Sequence, residues 1–83
     1  MSSFKEYYCK NIAKQIRKYR IAANMTQEYL SALIGKNEKF IGHIERCERE
    51  ISNRALIDVM FALKVQPTSF FQFDETYDFA EQE

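Results

Sequence analysis

Apolar residues recur every three or four positions along most of this chain, and this spacing restricts its fold more than any other feature. Glycine and proline, which interrupt helices, occur only two times and once among the 83 residues. The pattern therefore predicts an all-α domain of helices joined by short turns. In the first segment the apolar face would consist of Phe4, Tyr8, Ile12, Ile16, Tyr19 and Ala23.

Residues that typically begin and end helices divide this periodic pattern into shorter segments. Asn24 is expected to end the first helix, because asparagine tolerates the left-handed backbone found at helix stops. Thr26 would then cap a second helix of about two turns, which Gly35 would end. The residues expected to point inward from the second helix are Leu30, Leu33 and Ile34.

The second and third helices would form a helix-turn-helix unit. The third is predicted over residues 37–46, with Asn37 as its N-cap and Ile41 and Ile44 facing the core. An isolated helix of this length is unstable in water, so it persists only where neighbours clamp it. A clamped short helix fits the major groove of DNA, which is about 12 Å wide.

Two more helices are predicted in the last third of the chain. Ser52 or Asn53 would cap the fourth helix. Pro67 would open a short fifth helix, since proline suits the first helical position. The core face expected for the fourth helix consists of Leu56, Val59, Met60 and Leu63.

Residues 26–49, TQEYLSALIGKNEKFIGHIERCER, and the preceding IAKQIRKYR resemble the Cro and phage-repressor (Xre-type) helix-turn-helix family. The similarity extends over about residues 10–71, most of the chain. It implies a five-helix lambda-repressor-like domain, expected at residues 1–71, followed by an acidic aromatic C-terminal tail at residues 72–83. It also implies a sequence-specific transcriptional regulator whose partner is double-stranded DNA.

By the same resemblance, seven residues would form the DNA-binding site. Gln27 would touch a DNA phosphate and brace the recognition helix, residues 37–46. Residues 38, 39 and 43 occupy positions that reach base edges, and residues 46 and 49 would hold phosphate. The full set is Gln27, Asn37, Glu38, Lys39, His43, Arg46 and Arg49.

Simpler roles stay open for three of these residues. Glu38 would either stabilise the positive end of a helix dipole or accept a hydrogen bond from cytosine N4. Lys39 would be either a solvated lysine or a base or phosphate contact. His43 would be either a surface residue or a groove contact, because His43 and Cys47 alone make no structural zinc site.

Other positions agree with the family pattern only in part. The resemblance implies a partly buried ion pair between Arg20 and Glu45, which would tie the first helix to the third. Lys36 stands where a small apolar residue usually follows the turn glycine, and Phe40 is bulky for its position. Cys47 replaces a glycine at the end of the recognition helix. If that backbone is left-handed, the replacement costs about 1–2 kcal/mol.

The charges are unevenly distributed along the chain. Twelve Lys and Arg residues balance 12 Asp and Glu residues, whereas nucleic-acid-binding proteins are usually basic. Residues 1–49, however, contain ten of the basic and five of the acidic residues. The part that carries the helix-turn-helix is therefore basic, which is compatible with DNA binding.

Ile57 and Phe61 form a second apolar pair on the fourth helix, beside its core face. On an isolated domain this pair would be exposed, and such a patch usually marks an interface or is covered by another segment. The cover would be either a second copy of the chain or the tail, with Phe73, Tyr77 and Phe79. We expect a homodimer through the fourth helix, the fifth helix and also the tail, and this dimer would read an inverted repeat.

A second function fits the neutral net charge and the aromatic tail. It is a protein-interaction module on the same fold, such as an antitoxin or antirepressor-like adaptor, with a protein partner at the C-terminal tail. An enzyme is not expected, because the sequence contains no Gly-rich phosphate loop and no nucleophile–base–orienter set. No cofactor and no metal site are expected either.

The sequence also bears on location and redox state. No apolar run approaches the roughly 18 residues of a membrane-spanning helix, and no apolar stretch after Lys5 suggests a signal peptide. We therefore expect a soluble, cytoplasmic protein. Cys9 and Cys47 allow one disulfide, but free thiols are expected in a reducing compartment.

Overall fold

The computed structural model describes residues 3–80, which form five α-helices and no strand. The helices are α1 (Phe4–Ala22), α2 (Gln27–Leu33), α3 (Phe40–Glu45), α4 (Asn53–Leu63) and α5 (Pro67–Phe70). The predicted all-α, five-helix architecture is confirmed. None of the helices in this described range has the length and apolar character that a membrane span requires.

Side-chain hydrogen bonds fix where α2 and α4 begin. Thr26 Oγ1 accepts a hydrogen bond from the Tyr29 amide at 3.0 Å, and Ser52 Oγ accepts one from the Ala55 amide at 3.1 Å. Each bond satisfies an amide that has no partner within its helix. The N-cap predicted for α2 is confirmed, and Ser52 rather than Asn53 caps α4.

Residues with a left-handed backbone conformation follow four of the helices. Asn24 (φ 58°) and Gly35 (φ 70°) lie just after α1 and α2, as their sequence positions predict. Cys47 (φ 57°) follows α3 in the same conformation, at the position where the related pattern has glycine. Lys64 (φ 56°) ends α4.

The core is a single apolar cluster to which every helix contributes. Its fully buried members are Ile16, Leu30, Ile41, Val59 and Phe70. One buried polar contact adds to it, because Gln15 Nε2 donates to the Phe70 carbonyl at 2.7 Å. This bond ties the short α5 to the middle of α1. On the predicted core face of α4, Leu56 and Val59 are buried, whereas Met60 and Leu63 are half-buried.

Three details of the helix-turn-helix differ from the prediction. α3 begins at Phe40, because Asn37 Oδ1 accepts from the Lys39 amide at 2.9 Å and holds residues 37–39 in a turn. Phe40 is buried, so its bulk fills the core. Leu33 is 48% exposed rather than inward. The buried side of α2 is centred on Leu30 and Ser31, and residue 33 lies about 200° around the helix from residue 31.

The described part of the tail, residues 72–80, packs against the first half of α1. Tyr77 lies edge-on to Phe4 with ring centroids 4.9 Å apart, and Lys14 Nζ pairs with Glu75 Oε1 at 2.8 Å. The tail therefore does not cover the apolar pair on α4, where Phe61 remains 85% exposed. The alternative in which the tail covers Ile57 and Phe61 is therefore wrong.

Candidate DNA-binding surface

A buried hydroxyl joins the two helices of the helix-turn-helix. Ser31 Oγ on α2 donates to the Gln27 carbonyl at 2.8 Å and accepts from the Ile41 amide at 3.1 Å. The second bond satisfies an amide of the first turn of α3 that has no partner within its own helix. Ser31 thus fixes the start of α3 against α2, which a six-residue helix needs in order to persist.

A carboxylate at the other end of α3 receives hydrogen bonds from two elements. Glu45 accepts from the Arg20 guanidinium on α1 at 2.7 and 3.1 Å and from Gln27 Nε2 on α2 at 2.9 Å. The structure therefore brings Arg20 and Glu45 together, with side chains only 9% and 3% exposed. Gln27 braces α3 by the same contact. Both ends of α3 are thus anchored.

Gly42 allows α2 to approach α3 closely. A Cβ atom at this position would lie 3.0 Å from Gln27 Oε1 and 3.2 Å from Arg46 Nη1. The side chains of Gln27 and Arg46 therefore both lie close to this glycine. The sequence reasoning missed this residue, although a glycine inside a helical pattern is itself a signal of close packing.

Of the seven predicted DNA-binding residues, one lies on α3 (His43), one lies on α2 (Gln27), and the other five lie in the segments that flank α3. Gln27 and His43 are half-buried, and the other five are exposed. Residues 37–39 lie in the turn before α3, and residue 49 follows its end. The exposed members of the set are Asn37, Glu38, Lys39, Arg46 and Arg49.

Glu48 lies among these polar residues and was not predicted. Its carboxylate contacts His43 Nδ1 at 2.8 Å and accepts from Arg46 Nε at 3.1 Å. Hydrogen bonds from Arg46 and then from His43 hold the pKa of Glu48 below its usual value. In the free protein, the Arg46 guanidinium is therefore paired with an acidic side chain.

The ring of Phe40 carries two cations at the edge of this surface. The Lys36 ammonium lies 5.4 Å from the ring centroid, and the Arg49 guanidinium lies 5.1 Å from it. Both distances are typical of cation–π contacts. The ring thus holds Arg49, which lies in an irregular segment, close to the start of α3. Lys36 and Phe40, two departures from the family pattern, act together here.

A separate apolar surface lies on α4. Ile57 is 49% and Phe61 85% exposed, and they border a groove of about 520 Å³ shared with Met60, Val65 and Pro67. This α4 surface is distinct from the polar side of α3. Within the described residues, no cluster of three or more His, Cys, Asp or Glu side chains could hold a metal ion.

A protein-family model described as helix-turn-helix matches residues 16–70. Control protein C.SmaI of Serratia marcescens is 36% identical over 52 residues, which cover 63% of this chain. The match spans 62% of that relative's own length, less than two thirds of it.

Solved structures of restriction-modification controller proteins share the fold. The C.Esp1396I controller superposes with a TM-score of 0.74 at 30% identity, over 86% of this chain and 90% of that one. A further structure shows C.Esp1396I as a tetramer in complex with its natural 35 base-pair operator, with a TM-score of 0.72, 30% identity and the same coverage of both chains. C.AhdI of Aeromonas hydrophila gives 0.72 at 26% identity, over 78% of this chain and 98% of that one.

Proposed function

This chain belongs to the helix-turn-helix family of DNA-binding transcriptional regulators, and we propose that it is a controller of a restriction-modification system that binds operator DNA. The observation that carries the proposal is its similarity to C.Esp1396I, which was solved on its operator. Proteins of this family regulate transcription and are not enzymes. We place the protein in the cytoplasm, where it would meet that DNA.

The outer side of α3 is the part of the surface that would enter the major groove. Lys39 and His43 would reach base edges, while Arg46 and Arg49 would contact phosphates. Support comes from the anchoring of α3 at both ends, since a rigid short helix presents its side chains in one orientation. Glu38, exposed in the turn before α3, is suited to accept a hydrogen bond from cytosine N4.

Gln27 and Asn37 would have positioning roles beside these contacts. The Gln27 amide donates to Glu45 and lies against Gly42, so its side chain would reach a phosphate beside α3. Asn37 shapes the turn through its hydrogen bond to the Lys39 amide.

The α4 surface would form a homodimer. Ile57 and Phe61 are exposed apolar side chains beside a groove, and a symmetric pair would bury them against each other. Two α3 helices related by a two-fold axis would read half-sites about one helical turn, 34–36 Å, apart. The operator would then be an inverted repeat.

The tail suggests a second candidate function, the binding of another protein. Phe79 on the tail packs beside Phe4 of α1 yet is 66% exposed, so it would offer a contact point for such a partner. The salt dependence of the binding affinity distinguishes the two functions. DNA affinity falls steeply with salt as counterions are released, whereas an apolar contact responds much less.

Selection of random duplex DNA by the purified chain tests the main proposal. We expect recovered sequences to share an inverted repeat, bound with an affinity that falls as salt rises. Recovery of no common sequence, at a salt concentration where the chain is folded and dimeric, would contradict the proposal. Recovery of a single half-site would contradict the dimer and leave the DNA-binding role standing.

A further inference from the structure

Two cysteines, neither of which has a role in the DNA-binding proposal, share a groove. The groove, about 500 Å³ in volume, lies between the first half of α1 and the segment after α3. Cys9 on α1 and Cys47 after α3 both line this groove, and charged side chains form the rest of its lining. Both cysteines are free thiols.

The two thiols differ in their access to solvent. Cys9 is half-buried, whereas Cys47 is exposed. Burial, and then hydrogen bonding with the neighbouring Cys47 thiol, raise the pKa of Cys9 to about 11. Lys5 opposes this rise through its positive charge, and Glu50 adds to it. Near neutral pH, Cys9 is therefore a protonated thiol. Because Cys47 is the more exposed of the two, an oxidant would reach Cys47 before Cys9.

The backbone on both sides of the groove is held in place. Cys9 lies within the 19-residue α1, so its position is that of a regular helix. Two backbone hydrogen bonds hold the segment around Cys47. The Cys47 amide donates to the Ile44 carbonyl at 3.0 Å, and the Glu48 amide donates to the His43 carbonyl at 2.9 Å. Both cysteines therefore lie on backbone that hydrogen bonds hold in place.

We propose that Cys9 and Cys47 form a peroxide-sensitive modification site that closes into an intramolecular disulfide. The Cys47 thiolate attacks hydrogen peroxide, the O–O bond breaks, and hydroxide leaves to give a sulfenic acid. The Cys9 sulfur then attacks the Cys47 sulfur, the S–S bond forms, and the S–O bond breaks with loss of water. In sum, two thiols give two electrons to one peroxide, and two waters are released.

The disulfide would tie α1 to the segment that carries Arg46 and Arg49. It would link residues far apart in sequence, so it would restrict the unfolded chain and raise the melting temperature. This inference rests on the groove and its two thiols, not on DNA binding. Its test is therefore independent of the proposed function.

The experiment treats the reduced full chain with equimolar hydrogen peroxide and follows it by intact mass and by thiol alkylation. We expect the monomer to lose the mass of two hydrogen atoms and both alkylatable thiols together. In Cys9→Ser, a sulfenic acid should accumulate on Cys47 and be trapped by dimedone. In Cys47→Ser, Cys9 should react with peroxide much more slowly.

Three results would overturn the proposal. The first is that both thiols remain alkylatable after peroxide has consumed a free cysteine standard. The second is that disulfide-linked dimers form in place of the cross-linked monomer. The third is that the two single variants react equally fast with peroxide. Thermal unfolding gives a second readout. The oxidised wild type should melt above its reduced form, and a melting temperature that is equal or lower would contradict the stabilising disulfide.

Discussion

Arg20 on α1 and Glu45 at the end of α3 form a two-point ion pair, with Nε–Oε2 at 2.7 Å and Nη2–Oε1 at 3.1 Å. The remaining terminal nitrogen of Arg20 donates to the Met25 carbonyl at 2.8 Å. One guanidinium therefore joins α1, the loop before α2, and α3. Because both side chains are almost fully buried, neither is compensated by water if the other is removed.

Arg20→Ala should lower the free energy of unfolding by about 3–5 kcal/mol, because it removes the buried guanidinium that neutralises the buried Glu45 carboxylate. Chemical denaturation followed by circular dichroism measures this. Arg17→Ala is the matched control, since Arg17 lies 3.8 Å from the same carboxylate but its side chain is 63% exposed. The control should change stability by only about 0.5 kcal/mol. Equal effects of the two substitutions would contradict the assigned role of Arg20.

Glu48→Gln should tighten binding to operator DNA by a factor of about 2–5, the order of an exposed ion pair. The change frees Arg46 from its carboxylate and removes a negative charge from the surface that would meet phosphate. Titration of a labelled duplex by fluorescence anisotropy measures the affinity.

Glu50→Gln is the control for Glu48→Gln. It changes the net charge equally and lies in the same segment, but Glu50 pairs with Lys5 at 3.0 Å and not with α3. We expect a smaller gain from it. An equal gain would assign the effect to the overall charge of the protein.

The sequence predicts much of the fold because its signals are local. Thr26 and Asn24 act on amides and backbone angles within a few residues, so their roles can be read from adjacent positions. The α3 boundary was missed because Asn37 can cap either a helix or a turn, and packing of Phe40 decides between them.

Contacts between distant residues were harder to predict. The predicted DNA-binding residues follow from the family resemblance. The Glu48 contacts and the close approach at Gly42 depend instead on how α2 and α3 pack. Nothing periodic in the tail indicates that Glu75 would reach Lys14 on α1. The proximity of Cys9 and Cys47 has the same origin, since it joins α1 to the segment after α3.

The attachment of the tail should depend on pH. The hydrogen bond from Lys14 and then its charge hold the pKa of Glu75 below its ordinary value of 4.5, and Lys10 adds to this. Since the folded-state pKa is depressed, the contact is fully present above pH 4.5 and is lost as the pH falls through the folded-state value.

An NMR titration of the Glu75 carboxyl tests the tail contact. We expect a pKa below 4.5 in the wild type and a return toward 4.5 in Lys14→Met. Lys18→Met is the control, because the Lys18 ammonium lies over the ring of Tyr19 and should leave Glu75 unaffected. A wild-type value at or above 4.5 would show that the tail is not held by this pair.

Phe61→Glu should convert the proposed dimer to a monomer, because a charge would replace the most exposed apolar side chain of the α4 surface. Sedimentation over a concentration series up to tens of micromolar measures the change. Phe79→Glu introduces the same charge at another exposed phenylalanine, on the tail, and should leave the dimer intact. If it dissociates the dimer and Phe61→Glu does not, the interface lies at the tail.

The central claim is that the outer side of α3 and the turn before it contact DNA, and the affinity of Lys39→Ala for the selected duplex tests it most directly. Lys18→Ala is the matched control, an exposed lysine on α1 that lies against Tyr19. We predict that Lys39→Ala weakens binding by about 1–3 kcal/mol, at least fivefold, with an unchanged melting temperature, while Lys18→Ala has little effect. Equal affinities for the two variants and the wild type would contradict the claim.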